Sequence, residues 1–208
     1  MLIEVSGPDG SGKSTLVDGI RARIRESGGI SYERTLRSEG RVVLEMVENS
    51  TADAASRFSP REVEIAVLLD AVSQSAAELT KYQGASTTHV LVQQHRCALL
   101  ARLHRRGLAG HPELLALLDH LTVPDLSLRL QVSGSTCMAR IRNRRKGDGL
   151  LARASPEAEM SSLVRSFDAA ALTLGYPQVP IDGERAADET LETAWRHVAE
   201  LLVIPAIR

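Results

Sequence analysis

A glycine-rich loop between a predicted strand and a predicted helix is the feature that most constrains this chain. The loop, Gly7–Ser14, fits the pattern G-x-x-x-x-G-K-[ST]. The apolar run Leu2–Ser6 precedes it, and Leu16, Ile20 and Ile24 follow at the spacing of one helix face. A strand, such a loop and a helix in this order predict a phosphate-binding unit at the start of an α/β fold.

The pattern implies a chemical role for each part of the loop. Glycines allow backbone amides to turn towards a phosphate, and the following helix directs its positive end there. The predicted nucleotide-binding residues are Gly7, Pro8, Asp9, Gly10, Ser11, Gly12, Lys13, Ser14 and Thr15. Lys13 would reach the β- and γ-phosphates of ATP, and the Ser14 hydroxyl would bind Mg²⁺. We therefore expect ATP as co-substrate and Mg²⁺ as cofactor.

Short β-type runs alternate with helical patterns along the whole chain. The further predicted strands are Ile30–Leu36, His89–Gln93, Leu126–Val132 and Gln178–Ile181. The predicted helices include Lys13–Ser27, a long helix that begins at the capping box Ser59–Glu62, Leu114–Leu121, Cys137–Lys146, Pro156–Leu174 and Ala187–Val203. This alternation predicts a three-layer α/β fold, with a five-stranded parallel sheet and helices on both faces.

Composition limits the class of protein further. With 208 residues, 43% of them hydrophobic, the chain suits one domain over 1–208 with a sizeable core. A formal net charge of −1 argues against a polycation that binds nucleic acid or anionic membranes. The sequence shows neither a signal peptide nor an apolar run of about 20 residues, the length of a membrane span. We expect a cytoplasmic protein whose partner is a small molecule.

A cluster of arginines lies late in the sequence. The segment Arg140–Lys146 holds five cations in seven residues and is followed by Gly147–Gly149. Guanidinium groups on a mobile lid, at about 142–154, would stabilise the charge of a transferring phosphoryl group. A solvated basic helix end is the alternative. No N-K-x-D motif for guanine recognition is present, so the loop and this cluster together favour a small-molecule kinase over a GTPase.

The segment Ile3–Leu16 closely resembles the opening of thymidylate kinases, in which an acidic strand residue precedes the loop and an acidic residue occupies the Asp9 position. Weaker similarities follow in the family's order at Pro124–Leu128, Met138–Lys146, Leu163–Phe167 and Ile181–Gly183. The resemblance implies that lid arginines are catalytic, here Arg142, Arg144 and Arg145. It also implies that Asp9 contacts the acceptor, that Arg37 and Arg96 bind the acceptor phosphate, and that the protein is a homodimer. Asp9 as a turn-capping residue is the alternative.

Two departures from the family pattern concern the acceptor. The third strand of the family ends in aspartate-arginine, whereas this chain has His95 before Arg96, as either a hydrogen-bonding spacer or a catalytic group. The helix that carries a stacking phenylalanine and a phosphate-binding arginine in the family has Leu69 and Ser73, which become candidate substrate contacts.

The expected activity is therefore transfer of the ATP γ-phosphoryl group to a nucleoside monophosphate, dTMP or a related nucleotide. The alternatives are a kinase of a nucleoside or another small metabolite, or a nucleotide-binding protein without turnover. An alcohol acceptor would need Asp9, His95 or Asp70 as the base.

Overall fold

The chain forms an α/β structure around one parallel sheet. The structure is a computed structural model that describes residues 1–34, 36, 38–49, 58–82, 88–144 and 149–203. The strands are β1 Leu2–Ser6, β2 Ile30–Arg34, β3 Thr88–Val92, β4 Leu126–Gln131 and β5 Val179–Asp182. They lie in the order β2-β3-β1-β4-β5, and every neighbouring pair is parallel. The predicted five-stranded parallel sheet is confirmed.

Eight helices accompany the sheet in the described part of the chain. They are α1 Lys13–Glu26, α2 Glu39–Asn49, α3 Pro60–Tyr82, α4 Arg96–Arg105, α5 Pro112–Asp119, α6 Gly134–Arg142, α7 Pro156–Thr173 and α8 Ala187–Val203. Parallel strands are joined by right-handed crossovers, and in this strand order such crossovers put α1 on one face and α2 to α7 on the other. The packing agrees, because α1 contacts α8 while α4 contacts α7.

Both ends of helix α6 differ from the predicted ones, and by more than the ends of the other predicted helices. Helix α6 begins three residues before Cys137, because the Ser133 hydroxyl accepts the backbone N–H of Thr136 (3.2 Å) and so caps an earlier first turn. It ends at Arg142 instead of continuing to Lys146, which lies outside the described residues. Helix α2 was not predicted at all.

The predicted capping box at the start of α3 is confirmed. The backbone N–H of Ser59 donates to the Glu62 carboxylate at 2.6 Å, and the backbone N–H of Glu62 donates to the Ser59 hydroxyl at 3.3 Å. Two amides that the helix cannot pair are thereby satisfied, and Pro60 at the first helical position has no N–H to lose. Local sequence alone thus determines where this long helix begins.

The hydrophobic core consists of two clusters. One joins the sheet to α1, α6 and α8, and its fully buried members include Ile3, Ile20, Leu128 and Val198. The other lies among α3, α4, α5 and α7, with Leu68, Leu103 and Leu114 at its centre. The second cluster holds α4 and α7 together, and these helices border a cavity of about 920 Å³.

The strand order also determines where a ligand can bind. After β1 the chain crosses towards β2, and after β3 it crosses in the opposite direction towards β4. Adjacent strands whose connections diverge leave a crevice at their carboxyl ends. The glycine loop, residues 7–14, follows β1, and residues 93–95 follow β3, so both segments border this crevice.

Candidate functional site

The glycine loop adopts a conformation that depends on its glycines. Gly10 and Gly12 have φ angles of 82° and 99°, in the left-handed region that other residues avoid. A Cβ at Gly10 would lie 2.5 Å from the carbonyl oxygen of Cys137 in α6, whereas a Cβ at Gly12 would meet nothing within 4 Å. Gly10 therefore permits both the turn and the close approach of α6 to the loop.

The Lys13 side chain folds back over the loop. Its ammonium donates to the carbonyl oxygens of Gly7 and Pro8, both at 2.8 Å, and lies 3.8 Å from the Asp9 carboxylate. Burial lowers the pKa of Lys13 below its ordinary value; the Asp9 charge opposes this shift, and the positive charge of Arg144 adds to it. The structure thus holds a partly desolvated cation at the centre of the loop.

Two successive side-chain hydrogen bonds connect Ser14 to Gln93 and Glu33. Its hydroxyl donates to the Gln93 amide oxygen at 3.3 Å, and the Gln93 amide nitrogen donates to the Glu33 carboxylate at 2.5 Å. Among the described residues, no group of three or more His, Cys, Asp or Glu side chains could hold a metal ion. Magnesium commonly binds through one or two protein oxygens, water and substrate phosphates. Ser14, with Gln93 and Glu33 behind it, fits that mode.

Arg140 ties three segments together beneath the loop. One η-nitrogen donates to the carbonyl oxygen of Ser11 (3.3 Å) and the other to that of Gly183 after β5 (2.8 Å). Hydrogen bonds from a charged donor are stronger than those between neutral groups. Arg140, which the sequence prediction placed only within the arginine cluster, therefore fixes α6 against the glycine loop.

The predicted lid arginines lie in different surroundings. Arg142 forms an exposed ion pair with Glu157 at the start of α7. Arg144 follows the end of α6 and its charge acts on Lys13, as described above. Arg145 lies outside the described residues, so only part of the predicted lid at about 142–154 can be placed.

A cavity of about 920 Å³ opens beside the loop. It extends from the loop and the end of β3 between α2, α3, α4 and the start of α7. Among the described residues, six cationic and two acidic side chains line it, namely Lys13, Arg41, Arg102, Arg105, Arg106 and Arg153, with Asp9 and Glu159. Its apolar wall includes Val67, Leu99, Leu163 and Phe167. A smaller cavity of about 400 Å³ lies beside Pro8 at the ends of β4 and β5.

Arg96, the predicted ligand of an acceptor phosphate, points elsewhere. Its guanidinium donates to the carbonyl oxygens of Leu118 and Leu121, at 2.9 and 2.6 Å, and pairs with Asp119 at 3.0 Å. It also lies over the Tyr176 ring, 5.7 Å from the centroid. The group binds the carboxyl end of α5, where the helix dipole favours a cation, and does not line the large cavity.

His95 is fully buried beside Arg96. Arg34 lies 2.6 Å from its Nδ1, and its Nε2 lies 2.8 Å from the carbonyl oxygen of Thr122. Because arginine can only donate, Nδ1 accepts and Nε2–H donates, so the ring is neutral. Burial and then the Arg34 charge lower the pKa of His95 to about 4. Of the two roles left open by the sequence, hydrogen bonding is the one this geometry supports.

The remaining predicted acceptor contacts do not meet in the cavity. Leu69 on α3 is 51% exposed, and Ser73 on the same helix is also exposed. Asp70 accepts the backbone N–H of Gly40 at 2.9 Å and thereby joins α2 to α3. Arg37 lies outside the described residues. The α3 residue that does line the cavity is Val67.

The cavity arginines on α4 were missed by the sequence prediction. Arg102, Arg105 and Arg106 are three and four residues apart, the spacing that puts side chains on one helix face. That spacing was the available signal. The fully buried Glu64 of α3 faces them and pairs with Arg102 at 2.5 Å and Arg106 at 2.8 Å.

A second buried carboxylate, Glu4, lies within the sheet. It accepts the backbone N–H of Cys97 at 2.8 Å and the hydroxyls of Ser127 and Tyr176 at 3.0 and 2.9 Å. Burial raises the pKa of Glu4, and these hydrogen bonds, with the Arg96 charge, oppose the rise. The carboxylate joins β1, β4 and the amino end of α4 behind the site.

Comparison with known proteins supplies no family for this chain. No protein-family model matches it, and no curated protein matches it at a significant level. Among the described residues, no helix is long and apolar enough to cross a membrane.

Proposed function

We propose that the protein is an ATP- and Mg²⁺-dependent phosphotransferase of the P-loop kinase type, similar to thymidylate kinases. The observation that carries the proposal is the glycine loop at the crevice between β1 and β3, with the Lys13 ammonium at its centre and the large cavity beside it. A phosphate-binding loop beside a large cavity suits transfer to a small acceptor.

The proposed reaction assigns a task to each group. Backbone amides of the loop and Lys13 would hold the donor phosphates. Ser14 would bind Mg²⁺, which neutralises charge on the phosphates when bound. An acceptor oxygen in the cavity would attack the γ-phosphorus as the bond to the bridging oxygen of ADP breaks. Arg144, and the lid residues Arg142 and Arg145 after movement, would stabilise the transferring group.

The nature of the acceptor oxygen decides whether a base is needed. A phosphate oxygen is already ionised, but an alcohol must lose its proton as the new bond forms. Of the three candidate bases, His95 has both ring nitrogens engaged, and Asp70 binds Gly40. Asp9 is exposed at the cavity wall, so it is the group that would accept the proton.

The expected homodimer and the cytoplasmic location belong to this proposal as well. Val43 and Met46 on α2 and Leu69 on α3 are 56%, 65% and 51% exposed, which supports a second copy covering this side. Analytical ultracentrifugation of the full chain would measure the oligomeric state directly.

The test is ADP release from ATP and Mg²⁺ with a panel of nucleoside monophosphates, nucleosides and other phosphorylated metabolites. Lys13→Ala should lower turnover by about 10²-fold or more, because a cation aimed at the phosphates is lost. Arg25→Ala, an exposed cation at the end of the same helix, is the matched control and should leave turnover unchanged. Normal turnover by the Lys13 variant would refute the mechanism. ATP binding without ADP release for any acceptor would favour a nucleotide-binding protein.

A further inference from the structure

Arginine side chains line the part of the large cavity that lies away from the glycine loop. We name the five guanidinium groups that line it, from α2, α4 and the segment before α7, the arginine rack: Arg41, Arg102, Arg105, Arg106 and Arg153. A helix rises 1.5 Å per residue, so Arg102 and Arg105 lie about 9 and 14 Å along α4 from its first residue. The rack is therefore remote from the strand end at which the glycine loop lies.

The rack carries more positive than negative charge. Glu45 pairs with Arg41 at 3.4 Å and Glu159 with Arg105 at 2.7 Å, while Glu64 serves both Arg102 and Arg106. Within the described part of the chain, five guanidinium groups thus meet three carboxylates, which leaves two positive charges in excess. A phosphomonoester carries about −1.5 to −2 charges at neutral pH, which matches this excess.

Two observations show that the carboxylates of the described residues do not fully satisfy the rack. The Nη2 atom of Arg102 is shielded from solvent and has no hydrogen-bond partner among the described residues. Burial lowers the pKa of Arg106, and although Glu64 opposes that shift, the charges of Arg102, Arg105 and Arg41 add to it. A shielded guanidinium nitrogen without an acceptor is costly, and an oxyanion in the cavity would offset the repulsion among these neighbouring guanidinium groups.

The rest of the cavity does not favour a nucleobase at this end. Phe167 is the one aromatic side chain among the described residues that line it. Stacking between aromatic rings is the usual source of affinity for a base, whereas arginine forks bind phosphate through paired hydrogen bonds. The lining therefore suits an anion more than a flat ring.

We propose that the acceptor is a small phosphomonoester whose phosphate rests on the arginine rack while its other end presents the reacting oxygen to the glycine loop. This inference rests on the proposed phosphotransferase function and names the substrate class of the same site. The rack would bind the acceptor phosphate, which is the role that the family resemblance implies for Arg96. The phosphate of this acceptor anchors it in the cavity and does not take part in the reaction.

The test uses inorganic phosphate as the probe, titrated by calorimetry into the full chain saturated with Mg²⁺ and a non-hydrolysable ATP analogue. The analogue occupies the glycine loop, so the heat reports binding at the rack. We expect saturable phosphate binding, weakened at least tenfold in Arg102→Gln. Acetate, a monoanion, should bind much more weakly than phosphate. Arg165→Gln, an exposed arginine of α7 outside the cavity, is the matched control and should bind phosphate like the unaltered chain.

A second variant separates loss of the rack from loss of the fold. Glu64→Gln removes a carboxylate that competes for Arg102 and Arg106, so phosphate should bind more tightly, a change that damage to the structure would not produce. Absence of phosphate binding, or equal binding by the Arg102 variant and the unaltered chain, would overturn the rack proposal. If the ATP analogue itself does not bind, the proposed function fails instead, and the two failures are distinguishable.

Discussion

The buried carboxylate of Glu4 offers a sharp test of what holds the sheet to α4. In Glu4→Ala, the amide of Cys97 and the hydroxyls of Ser127 and Tyr176 lose their shared acceptor. Each buried donor left unpaired costs about 1–3 kcal/mol, so three of them imply a loss of roughly 3–9 kcal/mol in the free energy of unfolding. A domain of this size loses about 2–4 °C of Tm per kcal/mol, so Tm should fall by at least about 6 °C.

Glu4→Gln is the matched variant. Its amide oxygen can still accept from Cys97, and its NH₂ can donate to the hydroxyls of Ser127 and Tyr176, which rotate to accept. We expect a loss of about 1 kcal/mol or less at neutral pH. Urea unfolding and thermal melts followed by circular dichroism measure both variants. Equal losses for alanine and glutamine, or a loss below about 1 kcal/mol for alanine, would refute the account.

The pH dependence of these two chains supplies a second readout. Burial raises the pKa of folded Glu4, so on raising the pH the unfolded chain releases this proton first. The stability contributed by protonated Glu4 is present below the ordinary glutamate pKa and is lost as pH rises through the folded pKa. Glutamine does not titrate, so Glu4→Gln should gain stability relative to the unaltered chain across that window.

The remaining predictions concern His95 and the glycine loop. The pKa of His95 lies at about 4 in the folded chain, below the ordinary histidine value. Neutral His95 therefore contributes stability that is fully present above the ordinary pKa and is lost as the pH falls towards the folded pKa. Urea unfolding should show a loss of about 2 kcal/mol between pH 7 and pH 5 that is absent in His95→Gln, and identical slopes would contradict the assignment. Gly10→Ala should cost about 2 kcal/mol more than Gly12→Ala in urea unfolding, since only the former drives a Cβ against Cys137. Equal costs would mean that the approach of α6 to the loop is unimportant.

Sequence reasoning succeeded where one contiguous segment determines the structure. The bounds of β1 and α8 match the predicted ones, and the capping box at Ser59 begins α3 as expected. Helix α2 was missed because Val43 and Met46 lie on its outside, so its apolar residues do not follow the pattern of a buried face. Its start is secured by Asp70 instead, a contact between residues 30 positions apart.

The acceptor side shows the limit of reasoning from position in a motif. Arg96 occupies the expected place after β3, but its orientation depends on where α5 ends, which no local pattern reveals. Conversely, Arg102 and Arg106 line the cavity only because α4 packs against α7 and both arginines pair with Glu64 of α3. Residues whose role depends on tertiary packing are the ones that the sequence could not identify.

The position of the Lys13 ammonium has a consequence for how the loop would meet a nucleotide. In the structure the loop surrounds a cation with carbonyl oxygens from Gly7 and Pro8, whereas a bound phosphate would be an anion surrounded by amides. On nucleotide binding, the Lys13 ammonium would exchange its hydrogen bonds to these carbonyl oxygens for contacts with the phosphate oxygens. Because the ammonium is already largely buried and bonded to the loop's own carbonyl oxygens, little dehydration of the ammonium accompanies that exchange.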